Sequence, residues 1–372
     1  MKLLLPLALL FGSLMSCEPS KQLDQSNQIK KSYGHWVKEK NGEITLDPQP
    51  SGLTTWRDKL VMLSDRSADP SQRLKLRTVD PKNATLVGPD MKMQLSASAL
   101  DSCFADYVSD NPDLESLAKD PDKDTIFYMT SEDATSASPM SEMCQKKYKK
   151  TGSTDYPRLL IRLEVESSTK VLITHIRPIQ FNDKMAVGNF PNDGIEALTF
   201  GKNRTLYLGI EKDSAKKARI FSLQLDETFW QTDDFAAVSE VMVKLPIFKG
   251  GNHPINGMDF YQTPTGKEFL IAAARNDETL WIIDLAGKKD ARIVPINFYA
   301  EIINGTGVCQ RFEEMDNTSI EGVAIIKDTL WLINDPWKAV YLNNISCPQN
   351  KRNYQRFSPL LFSLAIQQSW FE

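Results

Sequence analysis

Short apolar runs, paired across polar turns, recur along most of the chain. Residues 113–118 lead over a turn to residues 125–133, residues 193–200 to 205–213, and residues 319–326 to 329–335. Two weaker copies run from 51–56 to 59–66 and from 257–261 to 268–276. The runs are rich in Leu, Val, Ile, Phe, Tyr and Trp, which is strand chemistry, and each pair reads as a hairpin. Further runs follow the hairpins at 73–79, 158–165, 219–225 and 279–285, several of them alternating apolar with polar residues as one-face-buried strands do. Three to four strands recurring about every 60 residues describe a propeller blade. The pattern therefore predicts an all-β β-propeller over residues 46–372. Five copies give five blades, or six if residues 34–45 and 360–366 form a degenerate blade. Pairing N- and C-terminal strands would close the ring and protect both edges.

The N-terminus breaks this pattern. Met1 and Lys2 precede apolar residues 3–11, a secretory leader too short to span a bilayer. It ends in Leu14-Met15-Ser16-Cys17, which resembles the bacterial lipobox. That resemblance implies cleavage of residues 1–17 as a signal peptide, lipid attachment at Cys17, and a membrane tether in the bacterial cell envelope. Glu18, where an Asp would favour the inner membrane, points to the outer membrane. Residues 18–45 read as a polar tether followed by a first strand, because residues 18–32 carry almost no large apolar side chain.

Composition adds constraints. The chain has 372 residues and a formal net charge of -4, which argues against a nucleic-acid partner. Apart from Cys17, four cysteines remain, and an even number in an exported chain reads as disulfides. Three pairings are open. Cys103–Cys144 with Cys309–Cys347 is favoured because it closes the shorter loops. No CxxC pair, GxSxG elbow, Walker loop or HExxH motif is present.

The candidate chemistry is acidic. Glu115, Glu196 and Glu321 each follow an apolar residue and precede a small one, and the fourth copy offers Asp259. The second strands end in Asp65, Glu132, Glu211 and Asp335. At the start of innermost strands, such acids would ring the mouth of the central channel. Crowded carboxylates either hold protons or are neutralised by a cation, and Ca²⁺ suits several oxygen ligands. The structural alternative is that they accept backbone hydrogen bonds or pair with Arg66, Lys212 or Arg275, tying blade to blade.

The phrases Ser51-Gly52-Leu53, Leu63-Ser64-Asp65-Arg66, Asp113-Leu114-Glu115-Ser116-Leu117-Ala118 and Ile320-Glu321-Gly322-Val323-Ala324 resemble the phytase-like, or esterase-like, β-propellers of exported bacterial proteins. The likeness covers scattered repeat motifs over roughly residues 46–340. It implies calcium ions that bind substrate phosphates and activate water. Glu115, Glu196, Asp259 and Glu321 would then face metal or substrate, and Arg66, Lys212 and Arg275 would bind phosphate. Two departures stand out: Thr54 occupies the acid position in the first copy, and no dense aspartate cluster is present.

Two expectations follow. One is a lipid-anchored binding module that presents its face to an envelope protein. The other is a calcium-dependent hydrolase of a small phosphorylated or ester ligand. The binding module leads, because no complete catalytic constellation is visible in the sequence. A deep pocket with convergent, perturbed carboxylates and a nearby cation would favour the enzyme, and a broad open face the module.

Overall fold

The structure, a computed structural model, describes residues 29–131, 141–148, 158–187 and 194–372. The leader, the lipobox and Glu132 lie outside these residues.

Among the described residues the fold is all-β and propeller-like. The strands are β1 (Lys30–Trp36), β2 (Pro50–Trp56), β3 (Lys59–Ser64), β4 (Lys75–Asp80), β5 (Thr85–Leu95), β6 (Leu114–Lys119), β7 (Ile126–Ser131), β8 (Arg158–Ser167) and β9 (Lys170–Gln180). They continue with β10 (Ile195–Phe200), β11 (Thr205–Ile210), β12 (Arg219–Gln224), the two-residue strands β13 (Ala236–Ala237) and β14 (Ser239–Glu240), β15 (Gly257–Gln262), β16 (Glu268–Ala274), β17 (Thr279–Asp284) and β18 (Arg292–Glu301). The last four are β19 (Phe312–Met315), β20 (Ile320–Ile326), β21 (Thr329–Asn334) and β22 (Leu360–Ala365).

Hydrogen bonding groups them into antiparallel runs β2-β3-β4-β5, β6-β7-β8-β9, β10-β11-β12-β14, β15-β16-β17-β18 and β20-β21-β22-β1. The first strands of these runs neighbour one another in a cycle: β2 beside β6, β6 beside β10, β10 beside β15, β15 beside β20, and β20 back beside β2. Among the described residues, Lys30–Trp36 and Leu360–Ala365 fall in one run with β20 and β21. β1 pairs antiparallel with β22 and completes the run that begins at β20.

Apolar side chains fill the gaps between successive runs. Leu63 and Phe127 share one core layer, Leu160 and Leu208 the next, and Ala197 and Met258 the third. Ile271 with Leu332, and Leu60 with Ile333, close the circuit. Each layer is the meeting of two sheet faces, which is why both faces of the inner strands are apolar.

The inner strands approach so closely at the axis that glycine is required. A Cβ on Gly257 would lie 2.2 Å from the Glu321 carbonyl oxygen, and one on Gly322 would lie 2.6 Å from the Leu53 Cβ. The favoured disulfides are present, Cys103–Cys144 and Cys309–Cys347, with Cα separations of 5.6 and 5.8 Å. Cys144 sits in the short helix Glu142–Tyr148, which also carries Lys146 and Lys147.

Candidate functional site: an acidic axial cavity

β2, β6, β10 and β20 each begin with a register shift against the second strand of their run. One residue is squeezed out at Ser51, Ser116, Glu196 and Glu321. Bulges re-aim side chains, and the four do different things. The Ser51 hydroxyl donates to the Leu114 carbonyl at 2.7 Å, and Ser116 bonds Thr130 at 2.7 Å. Thr130 in turn donates to the Ile195 carbonyl at 3.0 Å. Serine at this position ties one inner strand to the next, whereas Glu196 and Glu321 line a cavity of about 280 Å³ at the axis.

A second set of cavity residues comes from one repeated place, immediately after the second strand of a run: Asp65, Glu211, Arg275 and Asp335. Asp113, Glu115 and Arg66 complete the wall, and Trp337 and Lys338 stand at its rim. Seven carboxyls thus meet three cations.

The cations are partly spoken for. Arg275 pairs with Glu321 through Nη1 and Oε1, and its guanidinium lies 5.7 Å from the Trp337 ring centre. Arg66 Nε lies 3.0 Å from Asp113 Oδ2, and Lys338 reaches Asp47 at 2.7 Å. Among the described residues the Glu196 side chain makes no ion pair and no hydrogen bond, and Arg275 acts on it only from a distance. Burial, then repulsion from Glu211 and Glu321, raises its pKa well above the usual carboxylate range. Asp335 is raised likewise by burial and by Glu321 and Asp65. Asp65 is pushed up to about 6, chiefly by burial, against backbone hydrogen bonds from Ser67 and Ala68. Glu321 is pushed up to about 7 by burial, with Arg275 pulling it back. Arg275, held among acids, stays charged.

The sequence-derived candidates separate accordingly. The cavity brings together Glu115, Glu196, Glu321, Arg66 and Arg275. Asp259 is elsewhere. It sits three residues beyond the bulge position, where its Oδ1 accepts from Thr199 Oγ1 at 2.8 Å and its Oδ2 from the Ile325 N–H at 2.8 Å. It staples three inner strands together, and burial lifts it to about 6 while those hydrogen bonds oppose the rise. The residue at its expected place is Asn256, buried with neither side-chain amide atom partnered. Lys212 does not line the cavity. Sequence reasoning assigned no role to Trp337 or Lys338 in the site. The signal that could have found them is their closeness to Asp335 in the chain.

The described residues do not fit the calcium ion that the phytase-like resemblance implies. Glu321 is already paired with a guanidinium, and among the described residues no three His, Cys, Asp or Glu side chains converge in a way that could hold a metal. The chemistry open to the site is instead proton transfer between carboxyls of unlike environment.

No protein-family model matches the chain, and no curated protein matches it in sequence. Solved structures of similar shape include the PQQ-bound aldose sugar dehydrogenase of Streptomyces coelicolor, at 11% identity and a TM-score of 0.40, covering 85% of this chain and 93% of that one. A putative exo-β-1,3-galactanase of Bifidobacterium bifidum has 9% identity and a TM-score of 0.45, covering 91% and 94%. The major Malassezia sympodialis allergen Mala s 1 has 9% identity and a TM-score of 0.43, covering 86% and 94%.

Proposed function

We propose that the chain is a five-bladed propeller hydrolase that cleaves a glycosidic bond with axial carboxyls. The observation that carries this reading is the charge of the cavity, seven carboxyls against three cations. Hydrolysis of an ester or phosphoester builds negative charge at the reacting centre, which such a wall would oppose. Hydrolysis of an acetal passes through an oxocarbenium-like, positively charged state, which the same wall stabilises. The blade reading rests on the five antiparallel runs and the cyclic order of their first strands.

Two carboxyls with unlike surroundings supply the acid and the base. Glu196, which makes no ion pair and whose proton is held more tightly by burial and by Glu211 and Glu321, delivers that proton to the leaving oxygen as the C–O bond breaks. Glu321, held toward its ionised form by Arg275, takes the proton of the attacking water. An open binding face would have no use for a buried acid that makes no ion pair or hydrogen bond among the described residues, which favours this reading over the interaction module.

The test is a screen of aryl glycosides. Glu196→Gln and Glu321→Gln are each expected to lower kcat by about 10²–10⁴-fold with the fold intact. Activity that survives both substitutions would discard the mechanism.

Placement at the bacterial outer membrane through Cys17 is part of the same proposal. Two disulfides support an oxidising compartment. Fatty-acid labelling of the full chain should vanish in Cys17→Ala.

A further inference from the structure

Asp335 is 6% exposed and lines the axial cavity, yet among the described residues its carboxyl makes no ion pair and no side-chain hydrogen bond. Its Oδ1 is buried with no hydrogen-bond partner among the described residues. A buried polar atom left unmet costs about 1–3 kcal/mol, so such a group usually marks where something else is meant to bind. Asp65, at the matching place after β3, is near enough to repel it. The nearby cations point elsewhere: Arg66 to Asp113, Lys338 to Asp47, and Arg275 to Glu321.

We infer that the ligand of this cavity carries an ammonium group that docks on Asp335, whose carboxyl gives up its proton to solvent as the ammonium arrives, with Asp65 as the second acidic neighbour. Resting on the glycosidic reading above, this makes the substrate an amino sugar with its nitrogen free. Acceptors on two different strand ends suit a group that donates in three directions, as an ammonium does, better than a planar guanidinium. A hydroxyl could meet the same acceptors but brings no charge to a wall with an excess of acid. An acetylated nitrogen loses both the charge and two of its three donors. A carboxylated sugar is repelled.

Calorimetry with three probes tests this: the trisaccharide of glucosamine, its N-acetylated counterpart, and the trisaccharide of glucose. The glucosamine trisaccharide should bind at least about tenfold tighter than the other two, a preference that weakens with salt. Asp335→Asn should bring the ratio near one, and Asp65→Asn should reduce it, both with unchanged folding by circular dichroism. Equal or tighter binding of the acetylated or neutral probe overturns the inference. If those probes are also hydrolysed, the glycosidase reading survives without it. Selective amine binding with no hydrolysis of any probe upholds the ammonium site and removes the glycosidase.

Discussion

Glu196 and Glu321 occupy matching bulges on different inner strands, and one nearby guanidinium sets them apart. The consequence for stability has a definite sign. An acid whose pKa is raised in the folded state keeps a proton that the unfolded chain has already released. Stability is therefore present below the ordinary value of 4.5 and is lost as pH rises toward the folded value, about 7 for Glu321. Each unit of such a shift is worth about 1.4 kcal/mol. The melting temperature should be lower at pH 8 than at pH 5, and Glu196→Gln should raise it at pH 8. A melting temperature that climbs between those two values would contradict the assignment. Removing Arg275 acts in the opposite way, since it strands Glu321 in a buried site. Arg275→Gln is expected to cost about 3 kcal/mol in a denaturant melt. The acids at the site were legible as residue types in the sequence. Their division into paired and unpaired was not, because Arg275 reaches Glu321 only once β16 and β20 are folded into neighbouring runs.

At the scale of the element, the repeat was readable while its register was not. The hairpins stand where the paired apolar runs place them, because a strand buried on both faces announces itself by composition alone. Such a strand gives no period-two signal, however, so nothing fixes its phase. The repeat motif aligns Glu196 with Asp259 for that reason, yet the pairing of each inner strand with the second strand of its own run makes Asn256 the equivalent of Glu196 and Asp259 that of Thr199. The fourth run of strands keeps its acid as a staple for its neighbours. The better guide to register is glycine, since Gly52, Gly257 and Gly322 mark where inner strands touch. Gly257→Ala would drive a Cβ into the Glu321 backbone and should lower stability by about 2–3 kcal/mol. It should also lower activity, because the shifted backbone belongs to the base. A melt indistinguishable from the parent chain would show that the approach is looser than described.

For the molecule as a whole, the cysteine pairing could be chosen from loop length, and the ring follows from counting strands. What length and pattern left open was how the ends join, since a segment as short as residues 30–36 could equally have begun a separate unit. The structure makes it the outer strand of the last run. It also lies parallel to β18, with Tyr33 opposite Tyr299. The two disulfides each close loops of about 40 residues, so reduction of either should cost about 3–4 kcal/mol. Melting with and without reductant measures this, and the loss should be nearly additive because the bridges lie in different runs.

The position of β1 also bears on the order in which the chain can finish folding. A polypeptide emerges from the ribosome N-terminus first, so β1 is made well before either of its partners, β18 and β22. A nascent chain that has not reached β18 therefore carries β1 as an orphan strand, and one that stops between β18 and β22 leaves its other edge unpaired. The clasp acts as a check on progress: the last run is complete only once translation has passed β22, and products that stop earlier are left with exposed edges for proteases to find.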